Sequence, residues 1–385
     1  MLFLPRPGSQ LEKSQRTERQ FCVIWLFNSL LEMGQNTIDQ GKISWQSPSN
    51  IALVKYWGKH GHQLPCNPSL SMTLNASYTS TILSYVRKET FNREIDLSFY
   101  FEGKRSNTFE EKIATYLHTI ATDFPFLMDY MLRIESRNTF PHSSGIASSA
   151  SAFSALALCV MRLSEIITGE LSKDHFFQQA SQLARIGSGS AARSVYGGYT
   201  VWGIVKGVEG YKDQYACPLQ SNVHHKFQSY RDAILIVSRK NKKVGSSAGH
   251  ALMENNPFAD VRYGQAMDHT IEMLQVLKSG NTKRFIEIVE KEALTLHGLM
   301  MSSDPGYVLM QQETIDIIDR IRSFREQHQI PVAFTLDAGP NVHLLYPEPH
   351  RYRVLTFIEK ELLQYCNAGQ WIDDETGSGP KMLND

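Results

Sequence analysis

Residues 138–160 read NTFPHSSGIASSASAFSALALCV. The run MLRIES at 131–136, just before this stretch, is short and apolar and predicts a strand. Pro, Ser and Gly then form a loop. From Ser148 the apolar residues Ala150, Phe153, Leu156, Ala157, Val160, Met161 and Leu163 recur at helical spacing, which predicts a helix over 148–167. Strand, small-residue loop and helix start together let backbone N–H groups approach an anion, and the helix N-terminus adds a favourable partial charge. Gly145 removes bulk where a phosphate would sit, and Ser148 and Ser149 can cap the helix or contact phosphate oxygens. The plainer alternative is an ordinary cap on a buried helix. No G-x-x-x-x-G-K-[ST] motif occurs, so this is not a Walker loop.

The chain has 385 residues, which suggests two domains or one large one. Lys+Arg and Asp+Glu are 39 each, so nothing global points to nucleic acid or an acidic membrane surface, and any anion site must be local. The five cysteines (Cys22, Cys66, Cys159, Cys217 and Cys366) include no C-x-x-C pair, which suits reduced thiols in a cytoplasmic protein. No run of 18 apolar residues predicts a membrane span. Residues 1–40 differ from the rest, with a polar, basic stretch followed by FCVIWLFNSLL. We expect 1–32 to be peripheral, with Met33 as the natural start.

Further along, ISWQSPSNIALVKYWGK (43–59) combines a strand pattern with Asn50, Lys55, Tyr56 and Lys59. Alternation puts Lys55 and Trp57 on one strand face and Tyr56 on the other. Gly58 opens a loop, where His60 and His62 lack a third metal ligand and read as solvent-facing. Strands are expected at 69–86 and 95–101, a turn at EGKRS, and helices at 107–121, 123–133 and 172–185. The helix at 172–185 leads into GSGSAARS (187–194), where Ser188, Gly189, Ser190 and Arg193 form another candidate anion cradle or a plain helix-to-helix turn. Strands follow at 199–205 and near 231, helices at 246–254, 260–279, 281–301 and 307–328, a strand–turn–strand at 332–346, and a last helix at 350–365. Asp337 sits where the apolar strand stops, before an Ala-Gly-Pro turn; ordinary turn chemistry would also place an Asp there.

Three separated stretches, NIALVKYWGK (50–59), PHSSGIASSAS (141–151) with GSGSAARS (187–194), and TLDAGPN (335–341), together resemble the diphosphomevalonate decarboxylases of the GHMP kinase superfamily. KKVGSSAGH (242–250) and GSGP (377–380) also look like family segments. The resemblance implies an α/β (α+β) two-domain fold. An N-terminal ribosomal S5 domain 2-like layer of sheet and helix would cover 41–225, and a ferredoxin-like layer would cover 226–385. It also implies ATP-dependent conversion of 5-diphosphomevalonate to isopentenyl diphosphate, CO2, ADP and phosphate, with Mg2+, in a homodimer.

By that resemblance Asp337 orients the C3 hydroxyl, with Lys55 as the cation that keeps it ionised. Arg193 meets the substrate carboxylate and tail, and Asn50 the C3 substituents. Tyr56, Trp57, Gly58, Lys59, Ser188, Gly189 and Ser190 match the substrate-binding positions. Pro141, Ser143, Gly145, Ala147, Ser148 and Ser149 match the ATP loop. Relatives carry a basic residue after the first strands, which Lys104 or Arg105 would supply. Ala248 stands where some relatives carry a hydroxyl. No carboxylate cage for a metal is evident, so Mg2+ would be held through phosphate oxygens and water. The alternatives are a decarboxylase or 3-kinase acting on 5-phosphomevalonate or mevalonate, or a binding protein without catalysis. Retention of the tail-binding group argues against free mevalonate, and retention of Asp337, Lys55 and the Gly145 loop argues against a binding protein.

Overall fold

The computed structural model describes residues 37–90, 92–141, 146–219, 223–239 and 244–383. The expectations for residues 1–32, Cys22, Ser143 and Gly145 fall outside these. Two long neighbouring strands, Gln40–Val54 and Ser69–Arg87, form the spine of an eight-stranded sheet. Tyr130–Asn138 pairs with the second of them, and Asp96–Phe101 lies parallel to Tyr130–Asn138. Tyr199–Trp202 pairs with the opposite end of the second long strand, from Ser69 to Met72. The helices Asn107–Ile120, Ser148–Thr168 and Lys173–Gly187 pack on this sheet over one core. Ser148–Thr168 is long and apolar enough to cross a membrane, but two-thirds of its apolar window is buried in the protein, as in a core helix.

A second sheet is antiparallel, in the order Ala333–Thr335, Val342–Pro347, Tyr230–Leu235, Trp371–Glu375. Helices Ala259–Ser279 and Thr282–Met301 contribute to a core shared with the first sheet. Asp374 ties the sheets together. Its carboxylate accepts the N–H groups of Asn75, Ala76 and Ser77 at 2.7–2.8 Å, where the second long strand breaks register. The GSGP segment serves packing: Gly198 N–H donates to the Gly377 carbonyl, and Gly377 N–H to that of Thr73. Lys381–Leu383 then returns to the first sheet and pairs with Gln40–Val54.

Four expectations need correction. Residues 123–133 are not a helix: a short 3-10 turn covers Pro125–Met128, and pairing with the second long strand draws Tyr130 onward into the sheet. The helix expected from 307 begins at Gln312, where a Gln311–Thr314 capping box sets its start. The last helix widens to a π turn over Ile358–Leu362 and ends as 3-10. The first strand stops at Val54, because Lys55 N–H donates to Glu292 Oε2 at 2.8 Å and the Lys55 carbonyl accepts from Asn67 and Arg262. Strand alternation therefore does not extend through residues 55–59, and Lys55, Tyr56 and Trp57 all border one cleft.

Candidate active site

The cleft has a volume of about 600 Å3 and opens between the end of the first long strand, the head of helix Ser148–Thr168, and the 187–194 and 337–338 turns. At its centre Lys55 Nζ lies 3.0 Å from Asp337 Oδ1; the Lys55 side chain is 2% exposed and that of Asp337 24%. Burial lowers the Lys55 pKa, and the charge of Asp337, its hydrogen bond and Glu292 oppose that shift. The Asp337 carbonyl meets His297 Nε2 at 3.2 Å, which fixes the turn that presents the carboxylate.

Arg193 is buried in the short helix Ala191–Ser194. Its Nε donates to Asn50 Oδ1 at 3.3 Å, another guanidinium nitrogen donates to Ser69 Oγ, and the group lies 5.8 Å from the Trp202 ring centre. Asn50 in turn donates to Ser194 Oγ at 2.8 Å. Burial pushes the Arg193 pKa down to about 10, against the charges of Asp337 and Tyr56, so it is a cation at neutral pH.

Lys59, Lys112 and Lys55 join Arg193 on the cleft wall, and Asp337 is the one carboxylate among the described residues lining it. Four cations facing one acid suit a polyanionic ligand. Among the described residues the Tyr56 hydroxyl is buried without a hydrogen-bond partner, a donor left for a ligand at this wall.

Asn50, Lys55, Tyr56, Trp57, Lys59, Ser188, Gly189, Ser190, Arg193 and Asp337 all line the cleft, as do Ala147 and Ser149 of the loop region. Gly58 stands behind the wall. Its φ of +97° suits glycine, and a Cβ there would lie 2.3 Å from the Tyr263 hydroxyl. Ser148 and Ser149 do not cap the helix: Ala147 is the N-cap residue, at φ 42°, without a side-chain hydrogen bond. Ser148 borders a separate, apolar pocket of about 220 Å3, walled by Phe99, Phe101, Phe109 and Phe153. Pro141 is described but lines neither space. Lys104 and Arg105 are exposed, and Arg105 pairs with Glu110 at 2.9 Å. The cation on that side is Lys112, from helix Asn107–Ile120, which borders both spaces.

Sequence reading missed the support beneath Lys55. Glu292 is fully buried. It receives Arg262 through two nitrogens at 2.6 Å and His269 Nδ1 at 2.6 Å, besides the Lys55 amide. Arg262 and His269 lie seven residues apart, on one face of Ala259–Ser279. Charged residues on an otherwise apolar helix face were the available signal. Burial opposes Glu292 ionisation, but Arg262, His269 and the Lys55 N–H outweigh it and hold the pKa at about 2. That value lies below the ordinary 4.5. The stability contributed by Glu292 is therefore complete above pH 4.5 and is lost as the pH falls toward 2. Glu292→Gln leaves Arg262 buried without its anion. Urea unfolding should show a loss of about 3–5 kcal/mol at pH 7, shrinking as the medium is acidified. A loss that did not shrink in acid would contradict the sign.

Among the described residues there is no group of three or more His, Cys, Asp or Glu side chains that could hold a metal ion.

Comparison with known proteins covers nearly all of this framework. The family model for the diphosphomevalonate decarboxylase-like N-terminal domain matches residues 47–216, and that for the mevalonate 5-diphosphate decarboxylase C-terminal domain matches 233–381. The diphosphomevalonate decarboxylase of Candida albicans is 29% identical over 328 residues, 82% of this chain and 86% of that one. The Bos taurus enzyme is 28% identical, covering 78% and 75%. The mevalonate diphosphate decarboxylase from Staphylococcus aureus has a TM-score of 0.77 at 30% identity, over 92% of this chain and 99% of that one. Another solved structure, a complex with MVAPP, AMPPCP and magnesium, has a TM-score of 0.75 at 27% identity, over 89% and 98%.

Proposed function

The chain belongs to the diphosphomevalonate decarboxylase family, and from that premise we infer how its cleft carries out the family reaction. It is an ATP-dependent decarboxylase of the mevalonate pathway, converting 5-diphosphomevalonate to isopentenyl diphosphate with ADP, phosphate and CO2. The observation that carries the assignment of roles is the 3.0 Å Lys55–Asp337 pair in a cleft whose other described charges are cations.

The substrate carries a tertiary C3 alcohol, and hydroxide is a poor leaving group. Asp337 orients that hydroxyl and receives its proton as the oxygen attacks the γ-phosphorus of ATP, breaking the bond to ADP. The C3–O bond then breaks, its electron pair leaving with phosphate. The bond to the carboxylate breaks next, and its pair forms the C2=C3 double bond as CO2 departs. Lys55 steadies Asp337 as an anion and faces the charge that moves with the phosphoryl group. Arg193, held as a fixed fork by Asn50 and Ser69, meets the carboxylate and tail, with Tyr56, Lys59 and Ser188–Ser190 along the diphosphate. Magnesium enters with the nucleotide as part of the co-substrate. The nucleotide's phosphates would be held at Ala147–Ser149, with Lys112 between them and the substrate, and the apolar pocket walled by Phe99, Phe101 and Phe109 would take the base.

We also propose two domains, at 41–225 and 226–385, joined where Lys381–Leu383 returns to the first sheet. The four described cysteines are unpaired, which favours a cytoplasmic location. The resemblance favours a homodimer.

The deciding assay supplies ATP with either 5-diphosphomevalonate or 5-phosphomevalonate and follows ADP and CO2 together. Equal ADP and CO2 from the diphosphate alone is expected. ADP without CO2 would make the protein a kinase, and efficient use of the monophosphate would overturn the tail assignment.

A further inference from the structure

We propose that His250 is a further substrate-binding residue: its Nε2–H donates a hydrogen bond to the diphosphate tail. The proposal rests on the reading of the cleft as the diphosphomevalonate site. His250 lies in the short helix Ser246–Ala251. That helix sits close against the wall because residue 249 is glycine: a Cβ there would lie 2.6 Å from the Trp57 ring and from the Tyr307 hydroxyl. The His250 ring is thereby seated between Tyr56 and Trp57, with ring centres 4.3 and 4.6 Å away.

The position of the ring proton follows from one contact. His250 Nδ1 lies 3.0 Å from Gly58 N, whose N–H can only donate, so Nδ1 is the acceptor. The neutral ring must then carry its proton on Nε2. The ring is held neutral because burial first, and then Lys59 and Arg193, push its pKa down to about 3. The Nε2–H is thus a donor on a residue that borders the cleft.

Its neighbours define the ligand. Tyr56 offers the unpartnered hydroxyl already described, and Lys59 and Arg193 are the nearby cations. An ionised diphosphate presents acceptor oxygens and no donor, so a corner rich in donors matches it. A neutral imidazole adds a hydrogen bond there without adding repulsion among the cations. His250 also borders a back pocket containing Glu254 and Asp260, and a donor used on that side would leave the substrate untouched.

The test separates the two nitrogens. His250→Asn keeps an oxygen to accept the Gly58 N–H and loses the distal donor; His250→Gln keeps a donor at the distal reach. In steady-state kinetics on the full chain, H250N should raise KM for 5-diphosphomevalonate about ten- to a hundredfold, with KM for ATP within about twofold. H250Q should recover most of that loss. Calorimetric binding of inorganic pyrophosphate should weaken in the same order. An unchanged KM in H250N, or equal pyrophosphate affinity in wild type and H250N, overturns the proposal. If H250N does not fold, H250Q against His250→Met decides it, and equal affinities overturn it. If the wild type fails to turn over 5-diphosphomevalonate, the activity reading falls. The pyrophosphate titration still judges His250, and no pyrophosphate binding by the wild type also overturns the proposal.

Discussion

Asp337→Asn is expected to lower turnover by about three orders of magnitude or more, with nucleotide affinity nearly unchanged. The amide occupies the volume of the carboxylate but carries no negative charge and cannot take the C3 hydroxyl proton. A second loss follows at Lys55. Its ammonium is buried, and Asp337, through charge and hydrogen bond, is the largest influence opposing the desolvation that lowers its pKa. Without that carboxylate the lysine is driven further toward its neutral form, and the site loses the cation facing the moving phosphoryl group. The two losses act on the same step, so Lys55→Met added to Asp337→Asn should cost much less than the product of the separate effects. Single-turnover formation of ADP, measured beside fluorescence titration of the nucleotide, checks this. Turnover within about tenfold of the wild type would remove Asp337 from the chemistry.

The parts of this site legible in the sequence are those where polar residues interrupt an apolar strand or a small-residue turn. Asn50 on the first strand and Lys55 just past its end, Arg193 after the Gly-Ser turn, and Asp337 past the end of its strand share that signature. Lys55 and Asp337 nevertheless meet across 282 residues, and no local pattern pairs them. The pairing came from resemblance, and the geometry accords with it. What stayed hidden lies on helices. Lys112 is one more charge in an ordinary amphipathic helix until the sheet turns it toward the cleft. Glu292, Arg262 and His269 form a buried cluster that holds the Lys55 peptide, and no pattern within either helix links them to residue 55. The same cluster explains the failed alternation at 55–57, since Glu292 takes the N–H that a sheet ladder would have used. Of the two roles open to Ser148, capping is not taken up, because the small residue at 147 enters the left-handed region and leaves the serine beside an apolar pocket. His250 stands within a family-like segment, but its use depends on the Gly58 amide 192 residues away.

Arg193→Lys should cost about a hundred- to a thousandfold in kcat/KM, although charge is conserved. The guanidinium makes two directed hydrogen bonds within the protein, to Asn50 Oδ1 and Ser69 Oγ, and lies near the face of Trp202. Those contacts hold its plane, so its remaining N–H groups can meet a carboxylate or a diphosphate in a set direction. A lysine ammonium is a compact charge on a flexible stem. It can satisfy Asn50 or Ser69 or reach the ligand, but it cannot hold the planar geometry that does both. Asn50 suffers as well, because its side chain also donates to Ser194 and to the Ser190 carbonyl of the turn lining the tail site. The loss should therefore fall on both KM for 5-diphosphomevalonate and kcat, while KM for ATP changes little. Added guanidinium ion should restore part of the activity to Arg193→Ala and none to Arg193→Lys, because only the alanine variant leaves room for the fork. If Arg193→Lys worked within about threefold of the wild type, the site would need only a positive charge at 193, and the fixed fork would have no part in binding.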